Sequence, residues 1–219
     1  MKKDTTDKAP KKTTRRNFLK NTAAAVGAAA VAPTLFNIRT AAAKGTTWRI
    51  QTSWPGGIGL EIFKNWCNSI QEKSGGELIF KPFTAKDVVG DFQMFDAVKN
   101  GVLEGMNPFT LYWAGRMPAS VFFSSYPMGM RNPHEWDVFD YGLGGIERAR
   151  ELFAAQGMYS VGPIHHGPNI IHSKGPIRSI EDFRGRKMRV PGGMVAELFT
   201  AAGAKTTLLP GSEIFPALE

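Results

Sequence analysis

Cys67 is the single cysteine among 219 residues. The chain therefore has no intrachain disulfide, no Cys-x-x-Cys redox pair, no haem-attachment motif and no iron–sulfur ligand set. Leu60, Phe63, Cys67 and Ile70 recur on one helical face, which predicts a small buried core residue at Cys67. A long apolar run is missing as well. The alanine-rich stretch Ala23–Ala32 has ten weakly apolar residues, about half of what a membrane-spanning helix needs. Trp54-Pro55-Gly56-Gly57, between the first predicted strand and the first predicted helix, has neither Gly-x-Gly-x-x-Gly spacing nor a P-loop lysine. It can offer backbone amides to an anion at a helix N-terminus, but it is not a nucleotide fingerprint. There is no Gly-x-Ser-x-Gly elbow, and no His–Asp pairing follows from spacing.

The formal charge of +8 hints at nucleic acid or an anionic membrane, but its distribution removes the hint. Residues 1–43 hold nine Lys and Arg against two Asp, leaving eighteen basic and seventeen acidic residues in 44–219, a net of +1. Thr14-Arg15-Arg16-Asn17-Phe18-Leu19-Lys20 fills every position of a twin-arginine export signal, the apolar stretch follows, and Ala41-Ala42-Ala43 offers a small-residue cleavage site. The predicted reading is a signal peptide over 1–43 and a periplasmic mature chain with no nucleic-acid partner.

Beyond it, strands and helices alternate. Strands are predicted over 47–53, 77–83, 102–109, 158–164, 169–172, 187–190 and 204–208, and helices over 60–72, 91–100, 132–155 and 194–202. Asn132 and Pro133 suit the cap and first turn of the long helix. Ser179 suits the cap of a short one that Gly185 ends. The alternation argues for α/β with a largely parallel sheet. Arg189 falls at the carboxyl end of a strand, before Pro191 and a glycine-opened helix, where open α/β sheets bind ligands. A guanidinium there offers a rigid fork of donors suited to a carboxylate. A surface arginine is the plain alternative, and composition alone favours it.

Asp182-Phe-Arg-Gly-Arg-Lys-Met-Arg-Val190 and Leu209-Pro-Gly-Ser-Glu-Ile-Phe-Pro-Ala-Leu-Glu219 resemble the two signature segments of TRAP-transporter solute-binding proteins of the DctP type. Trp48–Ser53, Asp96–Gly101 and Tyr112–Gly115 stand in family order. The similarity is closest to the branch that binds 2-oxo acids and similar small carboxylates. It implies a two-lobed periplasmic-binding-protein-like fold of which only the N-terminal part is present: first lobe over 44–162, the start of a second over 163–219, with the final helix cut about two turns in.

The resemblance also implies substrate-binding roles. Arg189 clamps the substrate carboxylate, and Tyr112 is among tyrosines facing the cleft, with core packing its alternative. Trp54 lines the anion-greeting turn. The branch places a glutamine that helps hold substrate and a bridging cation (sodium or calcium) where this chain has Pro168. Proline has no side-chain donor or acceptor, and Asn169 beside it would substitute after a one-residue shift. His165 and His166 are adjacent on an extended segment and point to opposite faces. With no Asp, Glu or Cys between them and His172, packing and loop polarity are expected rather than zinc. The implied partners are a small organic carboxylate, TRAP membrane permease subunits, the twin-arginine translocase during export and, in the full-length protein, a homodimer. No catalytic residue is expected. The rival reading is an exported α/β hydrolase or isomerase acting on a small organic acid.

Overall fold

A computed structural model of the chain describes residues 45–219; the signal peptide predicted over 1–43 lies outside them. Strand β1, Thr46–Thr52, is built from β-branched and aromatic residues. Helix α1, Gly57–Lys73, returns the chain to β2, Leu78–Phe83. A further helix, α2, Met94–Lys99, leads to the short β3, Gly105–Asn107. β1 lies between β2 and β3 and runs parallel to both. The second half of this central strand is covered on both faces: Ile50, Gln51 and Thr52 are at most 5% exposed. Gln51 tolerates burial because its amide donates to Val89 O (2.7 Å) and accepts from the Val88 and Val89 N–H groups (3.1 Å each).

The predicted face of α1 is the buried one. Phe63 and Cys67 lie against Ile50, with Leu60 and Phe80 at the margin. Burial pushes the Cys67 thiol up to about 11, so it stays protonated and inert. The larger core gathers Met94 and Phe95 of α2 with Leu111, Tyr112, Trp113, Met117, Val121 and Phe153. The Trp113 indole N–H is satisfied by Phe92 O at 3.2 Å.

Four predicted elements and one predicted cap are corrected. The strand over 102–109 shrinks to three residues, because β3 pairs only with Ile50–Thr52 and Pro108 has no N–H to extend the ladder; 3-10 turns over Thr110–Trp113 and Pro118–Phe123 follow. The long helix breaks into α3, Pro133–Asp137, a π-helical turn, Val138–Gly142, and α4, Gly145–Ala154. Gly144 sits in the left-handed region (φ 83°), which ends one helix and opens the next. Its start is as predicted: the Asn132 side chain accepts from Glu135 N (3.0 Å). Residues 158–164 and 169–172 form no strand. Both carry β-branched residues, but Gly162-Pro163 interrupts the first and no neighbouring strand among the described residues offers their backbone a ladder. Ser179 does not cap; its own N–H donates to Asp182 Oδ2 (3.0 Å), beside that of Arg178 (2.7 Å).

The chain then forms β4, Lys187–Val190, α5, Gly193–Ala201, and β5, Lys205–Leu208, a parallel pair joined by one helix. A 3-10 turn, Gly211–Glu213, and a short helix α6, Ile214–Leu218, follow. Among the described residues no helix is long and apolar enough to cross a membrane.

Candidate functional site

Arg189 is the third residue of β4, paired with Thr207 of β5. Strand alternation turns its side chain away from the face of buried Val190, and the guanidinium meets the chain leaving β5. Nε and Nη2 both donate to Leu209 O, at 2.9 and 2.7 Å, and Nη2 also donates to Tyr112 Oη at 3.4 Å. Three of the five N–H groups are thus engaged. Nη1 has no partner among the described residues, so its two donors remain for an incoming acceptor. A guanidinium held along one edge and open at the other is pre-organised for an anion.

Tyr112 packs in the core with its ring and reaches Arg189 with its hydroxyl. Its ring is 8% exposed and belongs to the larger core, edge-on to Phe92 (5.1 Å) and Phe109 (5.7 Å). Its hydroxyl oxygen emerges to accept from Arg189 and from Gly211 N (3.2 Å). Burial raises the phenol's pKa against the opposing charge of Arg189. The group therefore keeps its proton and can donate it to a ligand oxygen.

Trp54 follows β1 and lies edge-on to Phe109 at 5.3 Å. It rests on the start of α1 at Gly59, where a Cβ would come within 2.4 Å of the indole; only glycine permits this approach. Phe109 in turn meets His166 edge-on at 5.8 Å. The structure therefore joins Trp54, Phe109, Tyr112 and His166 into one aromatic wall beside Arg189. Sequence reasoning missed Phe109 and His166. The signal for His166 was the alternation that separates it from His165, which stacks on Trp136 (5.9 Å) and places Nε2 3.2 Å from Asp137 and 3.6 Å from Asp140. Asn169 is not brought into the cluster: it is exposed, with no side-chain hydrogen bond among the described residues. No group of three or more His, Cys, Asp or Glu among those residues could hold a metal ion.

A hollow of about 530 Å³ beside Asn68, Gln71 and Gly75 is an open groove at the end of α1 and touches none of these residues. The chemistry points to Arg189 instead. It is the only one of the foreseen residues carrying a fixed charge, and it has donors to spare.

Residues 56–219 match the bacterial extracellular solute-binding protein family 7, the DctP family. A parallel α/β frame with an arginine at the carboxyl end of a strand accords with that match, and the chain belongs to this family. It is 30% identical over 174 residues to a monocarboxylate 2-oxoacid-binding periplasmic protein of Nostoc, covering 78% of this chain and 47% of the relative. A TRAP periplasmic solute-binding protein of Pseudoalteromonas atlantica, solved with sodium and pyruvate, superposes with a TM-score of 0.66 at 27% identity, covering 80% of this chain and 54% of that one. One from Colwellia psychrerythraea, solved with calcium and pyruvate, gives 0.67 at 27% identity with the same coverage. The fold is that of periplasmic solute-binding proteins, and the chain spans about half the length of these relatives. The family is one of solute receptors, so the hydrolase or isomerase reading falls.

Proposed function

We propose that the protein is the periplasmic solute-binding component of a TRAP transporter, capturing a small 2-oxo or 2-hydroxy acid and delivering it to the membrane permease. The observation that carries this is the half-engaged guanidinium of Arg189, fixed by Leu209 O with Nη1 open. A ligand carboxylate takes the Nη1 donors. The Tyr112 hydroxyl offers one proton to a second ligand oxygen, and Trp54 and Phe109 exclude water, which strengthens the charge-assisted bond. Relatives bound to pyruvate with sodium or calcium support the substrate class. The residues here do not fit the bridging cation: Pro168 has no ligating side chain, and exposed Asn169 supplies one neutral oxygen. Binding is therefore derived without an ion. Residues 44–162 supply the wall of a first lobe and residues 163–219 the clamp of a second, which close on the ligand as hinged domains do.

Calorimetry on the complete gene product with pyruvate, lactate, 2-oxoglutarate and sialic acid tests the reading. Arg189→Ala should weaken the best ligand by roughly a hundredfold to a few thousandfold, about 3–5 kcal/mol for leaving a buried anion unpaired. Arg189→Lys should recover only part, because an ammonium keeps the charge and loses the fork. Unchanged affinity in Arg189→Ala would end the clamp assignment. Export is tested separately. Arg15→Lys with Arg16→Lys should leave an uncleaved cytoplasmic precursor, and normal periplasmic accumulation would refute twin-arginine export.

A further inference from the structure

The Leu209 carbonyl can orient Arg189 only if the turn that carries it is itself fixed. That turn, residues 209–213, has one internal hydrogen bond, Glu213 N to Pro210 O at 3.0 Å. Apart from the Arg189 guanidinium on Leu209 O and the Ile214 N–H on Gly211 O, the contacts that hold it come from the β1–β3 half of the molecule. Tyr112 Oη accepts from Gly211 N (3.2 Å), Asp91 Oδ2 accepts from Ser212 Oγ (2.7 Å), and Lys86 Nζ pairs with Glu213 at 3.0 Å. The Lys86–Glu213 pair is exposed on both sides (45% and 46%) and contributes little. The Asp91 contact is different, since that residue is 1% exposed.

A buried carboxylate is expensive to keep, so its partners show what it is for. Asp91 opens the 3-10 turn Asp91–Gln93, yet no side chain caps that turn. Its Oδ1 is buried with no partner. Among the described residues, the one hydrogen bond made by its side chain goes to Ser212, 121 residues away. Burial raises its pKa, opposed first by the Ser212 hydrogen bond and then by the charge of Lys86. No local hydrogen bond offsets its desolvation among the described residues.

We propose that Asp91 is a positioning residue for the carboxylate clamp: through Ser212 it fixes the 209–213 turn, and through the Leu209 carbonyl that turn sets the direction of the Arg189 fork. This rests on the solute-binding reading above, but its structural arm does not need a ligand. Asp91→Ala and Ser212→Ala release the turn, while Asp91→Asn keeps an oxygen to accept the Ser212 hydroxyl.

The test uses the complete gene product, with pyruvate as the probe. Without pyruvate, exchange of the Gly211 and Glu213 amides, which donate to Tyr112 Oη and Pro210 O, should accelerate about tenfold in Asp91→Ala and Ser212→Ala and return towards wild type in Asp91→Asn, read by NMR or mass spectrometry. Pyruvate affinity should fall about tenfold in each alanine variant and no further in the double variant, because both remove one contact. Protected amides in Ser212→Ala, whose removal of one half-buried hydroxyl should spare folding, would overturn the proposal, as would additive losses in the double variant. If the wild type ignores pyruvate while the amides respond as stated, the substrate reading fails and the positioning role stands.

Discussion

The β2–β1–β3 sheet and the β4–β5 pair are both parallel, yet they bury very different amounts of chain. The first is closed by α1 and α2 over two clusters in which Phe63, Met94 and Phe95 are at most 2% exposed. The second has one helix, α5, with no buried residue. Only Val190 and Ala204 among its hydrophobic residues are buried, while Leu198, Leu208 and Phe215 are 45, 43 and 76% exposed. Two strands and one helix cannot enclose a core between them. Arg189, the proposed clamp, sits in this thin half, and Tyr112 and Asp91 of the thick half reach it and the turn beside it.

The comparison breaks most sharply at Phe95. Phe95→Ala should destabilise the protein by about 3–5 kcal/mol, the range for a large core side chain. Leu208→Ala should stay within about 1 kcal/mol, because half its surface is already wet. Thermal or urea unfolding checks both, and similar costs at the two positions would mean that the β4–β5 half is as well packed as the first.

Tyr112→Phe sharpens the same contrast from the site's side. It keeps the ring in the core and removes the oxygen that accepts from Arg189 and Gly211. Stability should fall by about 0.5–1.5 kcal/mol, with ligand affinity dropping several-fold. A stability loss with unchanged affinity would make Tyr112 a core residue only.

The smallest expected effect lies at the edge of the first sheet. Glu104 accepts from Arg49 Nε and Nη2 and from its backbone N–H. These bonds hold its carboxyl at about 2, below the ordinary 4.5. A depressed folded-state value means that this contribution is present above pH 4.5 and is lost as pH falls towards 2. Glu104→Gln should therefore lower the melting temperature slightly at neutral pH, and the gap to wild type should close across that acid window. A gap that persists at pH 2 would point to shape rather than charge. The pair is largely exposed, so the shift is small.

Several of these features were legible beforehand because their causes are local. The α1 face with Phe63 and Cys67, the Asn132–Pro133 helix start and the strand-to-glycine junction at Arg189 each depend on residues within a few positions. The strands expected over 158–164 and 169–172 failed for the opposite reason. β-branched composition makes a segment a candidate, but a strand exists only where another strand accepts its hydrogen bonds. The continuous helix failed at Gly142–Gly145, where the left-handed Gly144 outweighs an amphipathic pattern. Asn169, foreseen beside the substrate, is exposed and apart from the cluster.

By itself, the sequence determined the α/β class, the inert thiol, the segregation of charge into residues 1–43 and the placing of one arginine at a strand end. All of these follow from neighbours along the chain. Only the tertiary structure decided which way that arginine faces. Its orienting carbonyl is 20 residues away, its tyrosine 77, and the buried carboxylate that fixes the turn lies 121 residues from its serine. Contacts at such separations leave no periodic trace, because only the folded chain brings the groups together and removes the water that would otherwise satisfy them.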